Sequence, residues 1–592
     1  MTAGVFTDDN DPLGAALAGT AARFGQLAAR SRLEDADVDE LALLCANAAH
    51  LLTYAEGNQR HFGPARAPRS GRQRLLPGPK ADAALLALLE GSVCTQDTAE
   101  RTRRDLLNWL RDRARVRQDP ATAEVAAMYR QARDALHRID HAQAALLERL
   151  GLRTQGAAPA TVFYRAVSTT AKLSTRDKLV RAWEVQRARH AGPVLEQLDA
   201  VVRLRREQAR AEGASSVLGR TLERSGLDEA RAAAFIDAYV ERAVDSTGRL
   251  ATRIRATTGA RDHPLAHFGA YARTVAGGAA LPSFPLDGCL DYLAAVTRDV
   301  FGIALTPLAA DRPDEHIVLG AAGGQAIGVA SFDLMETPLR RTRGRSAAAR
   351  GDAPSWRGEL PATLPEARVL CRYQYDARGN RVVSFESLHS MLHEFGHVMN
   401  HWLLRRHTPG ETGLDYLPLE RIEDLSTWFE KWAYHPRLAG HLALSADDAA
   451  KLQICARIKR LEFCNANLDR AVVAALDFDV HRQDSGGLAD SFRRLDKRFR
   501  LSDLCRLETV AGYLLSPLCR AYPGANFAYL WGAAFGAQAF EPWLGTGQDT
   551  RAATRARAEN NLRSCLDPDA PSQTPQLDPL FLFYDADGEP CL

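Results

Sequence analysis

Several things are missing from this 592-residue chain, and each absence excludes a class of protein. Its 10 cysteines (Cys45, Cys94, Cys289, Cys371, Cys455, Cys464, Cys505, Cys519, Cys565 and Cys591) are scattered, and no two form a CxxC pair. That spacing excludes a cysteine-built metal knuckle and a small disulfide framework, and it fits reduced thiols in a cytoplasmic protein. No uninterrupted apolar run reaches the roughly 18 residues that a membrane-spanning helix needs. Charge of one sign is not in excess: 75 Lys and Arg face 73 Asp and Glu, a formal net of +2. A general nucleic-acid or polyanion binder would carry a strong basic surplus, so no nucleic-acid partner is expected. Residues 1–12 hold several acids and no apolar stretch, the opposite of a basic-then-apolar export signal. No fixed-period repeat is present.

What the chain does contain is helix-forming sequence. It is 46% hydrophobic and longer than one core usually grows, so more than one lobe is expected. Ala, Leu, Arg, Glu and Gln dominate. Amphipathic stretches run over Glu196–Glu212, with Gly213 as a stop, and over Asp228–Arg255. Residues 63–80, 340–361 and 567–579 read as loops, rich in Pro and Gly with Arg or acids. The first two are Arg-rich, but no basic domain surrounds them, and they are taken as solvated loops. Strand signals are few; Ala326–Phe332 and Ala367–Tyr375 are the best, both just ahead of the segment that carries the chemistry.

That segment is Ser384–Arg405. Phe385, Leu388, Leu392, Phe395, Met399 and Trp402 recur at helical spacing. His393 and His397 are four residues apart, so both imidazoles leave one face of the helix, one turn apart. Two neutral imidazoles so placed can occupy two corners of a tetrahedral zinc site. Glu394 follows His393 directly and is placed to reach a water held by the metal. Gly396 is costly inside a helix unless something approaches the backbone closely. His389 and His401 extend the same ladder, but only His393 and His397 have the glutamate in the right place. A catalytic zinc needs a third protein ligand and an open fourth position. The helical stretch Leu419–His435 supplies Glu423, with Glu420 and Asp424 as competitors and Glu430 two turns further along the same face.

The block Leu388-His389-Ser390-Met391-Leu392-His393-Glu394-Phe395-Gly396-His397-Val398-Met399 resembles the zinc helix of the thimet oligopeptidase and oligopeptidase F family. In that family a second motif supplies the third ligand: a glutamate, then Pro-Ser-Gln, then Glu-x-Trp. Residues 423–432 match it at Glu423, Ser426, Glu430 and Trp432, with Leu425 and Thr427 in place of Pro and Gln, and the resemblance assigns the ligand to Glu423. A tyrosine-rich family segment is similar to residues 521–531 at Tyr522, Tyr529, Leu530 and Trp531. It implies that Tyr522 and Tyr529 bind substrate and the developing oxyanion. Without the resemblance this segment reads as a buried aromatic helix. The sequence departs from the family at Pro517, where a histidine is expected in a loop, at Asn526, where a tyrosine is expected, and at its C-terminal end.

Composition and helical patterning predict a mainly α fold, and the two strand signals predict a small β-sheet near the zinc helix; the resemblance implies two helical lobes enclosing a deep substrate channel. It places an N-terminal helical region at 1–160, a catalytic region at 161–575 and a C-terminal tail at 576–592. It implies a zinc endopeptidase acting on short peptides, with His393, His397 and Glu423 as ligands, Glu394 as general base, and Tyr522 and Tyr529 at the oxyanion; groups behind the ligands should hold the imidazoles, and Glu430 is the candidate for that role. Two alternatives accompany it: a specialised amide hydrolase that matures a dedicated peptide, and a zinc-retaining peptide-binding protein without catalysis. The oligomeric state is open.

Overall fold

The computed structural model describes residues 120–153, 158–223, 225–277, 282–310, 315–336, 366–403, 417–519, 523–544 and 572–584, with shorter N-terminal pieces between 22 and 107. The fold is mainly α, as expected. The helices that carry and support the site are α1 (Pro120–Arg149), α2 (Leu173–Ala211), α3 (Glu229–Thr258), α4 (Leu286–Phe301), α5 (Phe385–Leu403), α6 (Asp424–Glu430), α7 (Ala446–Arg482), α8 (Leu507–Cys519), α9 (Phe527–Phe540) and α10 (Asp578–Phe583). Their ends follow local chemistry. Asp228 caps α3 by accepting from the Arg231 N–H at 2.8 Å. Gly213, at φ +75, follows the end of α2. The stretch expected at Glu196–Glu212 is the second half of this 39-residue helix.

Six strands form one mixed sheet in the order β1-β6-β5-β4-β3-β2. They are β1 (Ser283–Pro285), β2 (Ile303–Leu308), β3 (Glu315–Ala322), β4 (Gln325–Glu336), β5 (Glu366–Tyr375) and β6 (Arg381–Ser384). The β4–β5 pair is parallel and the others are antiparallel. β4 and β5 contain the two strands read from the sequence. The others carry Ala, Thr, Pro and Gly in place of a clean alternating pattern, or are only three or four residues long.

The sheet is fitted to α5 by a tryptophan lying over a glycine pair. Gly320 and Gly328 face each other across β3 and β4. A Cβ on Gly328 would lie 2.2 Å from Trp402 Cδ1, and one on Gly320 would lie 2.4 Å from Trp402 Cζ3. Only glycine leaves room for the indole, so these two positions set the distance between sheet and helix. Phe332 of β4 adds a near-parallel ring contact with Phe395, centroids 6.1 Å apart.

One large core runs through α3, α4, α5, α6, α7, α8 and α9 and the inner sheet face. Ala132, Ala135 and Ile139 of α1 belong to it, as do Leu580, Phe581 and Phe583 of α10. α1 and α10 are therefore both packed into the body that holds α5. Among the described residues, no helix is long and apolar enough to cross a membrane. Cys94, Cys289, Cys371, Cys455, Cys464 and Cys505 are free thiols.

Candidate metal centre and active-site cavity

The stretch 419–435 is not one helix. It breaks into a 3-10 turn at Leu419–Arg421, the α6 helix, and a second 3-10 turn at Lys431–Tyr434. α6 is held between α5 and α9 at backbone distance. A Cβ on Gly396 would lie 2.4 Å from Ser426 Cα, and one on Gly532 would lie 2.4 Å from Glu423 Cβ. Thr427 Oγ1 donates to the Gly532 carbonyl at 2.6 Å and ties α6 to α9. Gly396, unfavourable by helix propensity alone, is thus the residue that lets Glu423 come close to the two histidines of α5.

Glu423 sits just before α6, and its Oε2 lies 3.4 Å from His393 Nε2 and 3.3 Å from His397 Nε2. One donor atom from each of these three residues lies within 4.8 Å of the others, the one such convergence among the described residues. Ser426 Oγ donates to Glu423 Oε2 at 2.7 Å and fixes the carboxylate. The competitors are engaged elsewhere. Glu420 accepts from Ser225 Oγ at 2.6 Å, from the Gly226 N–H at 2.9 Å and from Ser572 Oγ. Asp424 lies 3.7 Å from Arg421. Along the histidine ladder, His389 faces Glu430 at 3.9 Å and His401 is buried.

Glu430 lies behind His393, with its Oε2 2.9 Å from His393 Nδ1. That contact leaves the Nε2 of the same ring free to face Glu423. The other oxygen, Oε1, accepts from Lys431 Nζ at 2.6 Å and from the Tyr584 hydroxyl at 3.5 Å. Burial works against the charge of Glu430, yet Lys431 and the neighbouring histidines hold its carboxyl well below the usual range. Burial lowers His393 as well, but hydrogen bonds to Glu423 and Glu430 prevail and push its pKa up to about 10. The cluster is thus a place that draws positive charge. Burial also opposes charge on Glu423, and the two imidazoles hold its carboxyl well below the usual range. His389, with burial as the first cause, is lowered to about 3.

These residues fit a divalent metal. Two imidazole nitrogens and one carboxylate oxygen are the donor set of an open catalytic zinc site, and a bound cation would balance the buried carboxylates Glu423 and Glu430. His393, Glu394 and Glu423 line a cavity of about 980 Å³, so the donor cluster faces open space on one side. Tyr529 lines the same cavity and is half exposed. Tyr522 lies outside the described residues. The departures at Pro517 and Asn526 both line the cavity. The stretch from Ser516, read as a loop, is helical as far as Cys519. Pro517 stands in the last turn of α8, where it has no N–H to donate to the Tyr513 carbonyl one turn back. Asp477 of α7 anchors the segment before α9 by accepting from the Gly524 N–H at 3.0 Å and the Asn526 N–H at 3.1 Å.

Three contributors carried no sequence signal. Lys431 is fully buried beside Glu430. Tyr584 comes from a C-terminal segment read as a tail, and no motif marks it. Tyr239 of α3 donates to Asn467 at 2.8 Å, and both residues line the cavity.

A mainly helical fold with two histidines and a glutamate converging beside a further glutamate, at the edge of one cavity, defines a metallopeptidase class. The model for peptidase family M3 matches residues 168–564, and the chain belongs to that family. The protein described as "Probable cytosolic oligopeptidase A" of Arabidopsis thaliana is 21% identical over 296 residues, covering 45% of this chain and 41% of that protein. Oligopeptidase A of Escherichia coli is 24% identical over 196 residues, covering 30% of this chain and 27% of its own length. The chain thus matches less than half of each of these relatives. A solved structure of a candidate peptidase from Chlamydophila abortus shares the fold, with a TM-score of 0.51 at 11% identity over 98% of this chain and 96% of that one.

Proposed function

We propose that this chain is a zinc-dependent endopeptidase that hydrolyses short peptides in the cavity between α5, α6, α7 and α9. The observation that carries the reading is the convergence of His393, His397 and Glu423 beside the cavity that His393, Glu423 and Glu394 line. His393, His397 and Glu423 would hold the metal, and Ser426 and Glu430 would fix the orientation of Glu423 and His393. When bound, the metal supplies Lewis acidity and lowers the pKa of a coordinated water to about 7. Glu394 takes the proton from the attacking water and hands it to the departing amine. Tyr529, and Tyr522 by the family resemblance, donate to the developing oxyanion. The family resemblance implies that such a cavity admits a short extended peptide and excludes a folded protein. The catalytic region is taken as 161–575, a span supported by the family match at 168–564. A cytoplasmic setting belongs to the same proposal and is supported by the free thiols.

A second reading, hydrolysis of one dedicated peptide or amide, is favoured by Pro517 and Asn526, which replace family residues on the cavity wall. A purely structural zinc site has no use for Glu394 on that wall. The deciding experiment digests a mixed library of short peptides with the zinc-loaded protein, read by mass spectrometry, with Glu394→Gln as the paired control. Cleavage by the wild type alone supports the peptidase reading. Failure of both proteins on the library, with cleavage of a single candidate precursor, supports the second reading. Failure on every substrate overturns both.

A further inference from the structure

The cavity wall carries two cations, and their circumstances differ. Lys459 is compensated: its Nζ lies 3.4 Å from Glu462 and 3.8 Å from Glu386. Arg470 of α7 is exposed to the cavity and has no carboxylate within ion-pair distance among the described residues. Asp469, its neighbour in sequence, lines the same cavity but forms no ion pair with Arg470: burial holds its carboxyl up, and its hydrogen bond is with Cys505.

Arg470 is nonetheless held in place. Its guanidinium lies 5.4 Å over the Phe463 ring. Phe463 stacks on Tyr584 with centroids 3.8 Å apart and planes 17° from parallel. The Tyr584 hydroxyl donates to Glu430, whose other oxygen lies against His393. A single column of contacts thus runs from the metal helix to Arg470 along the cavity wall. Stacking on an aromatic face orients the planar fork and leaves its N–H groups facing solvent. A guanidinium with an aromatic support, and with no anion of its own, is built to receive a carboxylate in bidentate fashion.

We propose that Arg470 binds a carboxylate of the peptide substrate and so sets the specificity of the enzyme. The carboxylate is either the C-terminal one of a short peptide or the side chain of an Asp or Glu near the cleaved bond. This inference rests on the peptidase reading, since it names the substrate class of the same cavity.

The test uses three matched peptides: a free C-terminal acid, its C-terminal amide, and the amide with one Gln replaced by Glu. The readout is the ratio of kcat/KM for a carboxylate-bearing peptide to that for the neutral amide. In the wild type the ratio favours a carboxylate. In Arg470→Gln it falls about tenfold or more, the scale of a lost charge-assisted pair. In Arg470→Glu the preference turns toward peptides carrying Lys in place of Glu. Whichever peptide loses its advantage identifies the source of the carboxylate. An equal ratio in wild type and Arg470→Gln overturns the proposal, even if the variant is slower on every peptide, because a merely structural role lowers all rates together. The same peptides are titrated against zinc-loaded Glu394→Gln protein, with and without Arg470→Gln, and the ratio of Kd values is read in the same way. If the wild type cleaves nothing, a carboxylate preference in binding that disappears with Arg470→Gln sustains this inference while the peptidase reading fails.

Discussion

His393 Nδ1 lies 2.9 Å from Glu430 Oε2, and that contact decides which face of the imidazole meets Glu423. Glu430→Gln keeps the size of the side chain and a possible hydrogen bond but removes the charge. Partners of this kind typically contribute about 10–100-fold to metal affinity or activity. Zinc affinity, read by competition with a chromophoric chelator, is expected to fall within that range while the fold stays intact. Unchanged affinity would place Glu430 outside the support of the metal.

The metal itself should report on the fold. A ligand that binds the folded state and not the unfolded one stabilises by mass action, about 4.1 kcal/mol at a thousandfold excess over Kd. His393, His397 and Glu423 come from two elements that only the folded chain brings together. Stripping the protein with a chelator is expected to lower Tm by several degrees, and zinc should restore it. In His397→Ala the chelator effect should vanish. A chelator effect that survives in His397→Ala would mean that the stabilising ion sits elsewhere.

Glu394 predicts a different signature from the ligands. Removing a positioned general base typically costs about 10²–10⁴ in rate. Glu394→Gln is therefore expected to lose activity on that scale while binding zinc as the wild type does. Zinc content by mass spectrometry and kcat on a single peptide separate the two effects. Loss of zinc together with activity would make Glu394 a contributor to metal binding and would remove the case for it as base.

Much of this architecture was legible in the sequence, for identifiable reasons. His393 and His397 share a helix, so the 3.6-residue period alone puts them on one face. The mainly helical class followed from composition, and β4 and β5 from their β-branched and aromatic residues. Glu423 was harder, because Glu420 and Asp424 lie within one turn. Only the tertiary partners of Glu420 (Ser225, Gly226 and Ser572) remove it from contention. Lys431 and Tyr584 were invisible, since a buried lysine has the same letter as a solvated one and Tyr584 acts on Glu430 from 154 positions away. The glycines were ambiguous in sequence. Gly320, Gly328, Gly396 and Gly532 show their purpose only when the atoms across from them are known.

Gly396 converts that packing into a measurable quantity. A methyl group there would meet the α6 backbone at Ser426 Cα, 2.4 Å away, and backbone cannot swing aside as a flexible side chain can. Gly396→Ala gains in helix propensity by up to about 1 kcal/mol, but overpacking a closed interface costs about 1–3 kcal/mol. The net effect is destabilisation, and zinc affinity should fall because α6 carries Glu423 outward. A stabilised variant with unchanged zinc affinity would mean that the α5–α6 contact is looser than this geometry.

Lys431 poses the sharpest energetic question. Its ammonium is fully buried, 2.6 Å from Glu430 Oε1 and 5.1 Å from the Tyr584 ring centre. Burial lowers its pKa, and Glu430 works in the other direction. Removing one member of a buried pair leaves the other uncompensated and typically costs about 3–5 kcal/mol, whereas replacing both by apolar or neutral groups of similar volume is often close to neutral. Lys431→Met is expected to lower stability on that scale. The double variant Lys431→Met, Glu430→Gln should recover much of the loss in urea unfolding of the metal-free protein. Zinc affinity should not recover with it, because His393 then lacks the charged partner on Nδ1. Recovery of both would make the Lys431–Glu430 pair irrelevant to the metal. Recovery of neither would assign Lys431 a packing role along its alkyl chain.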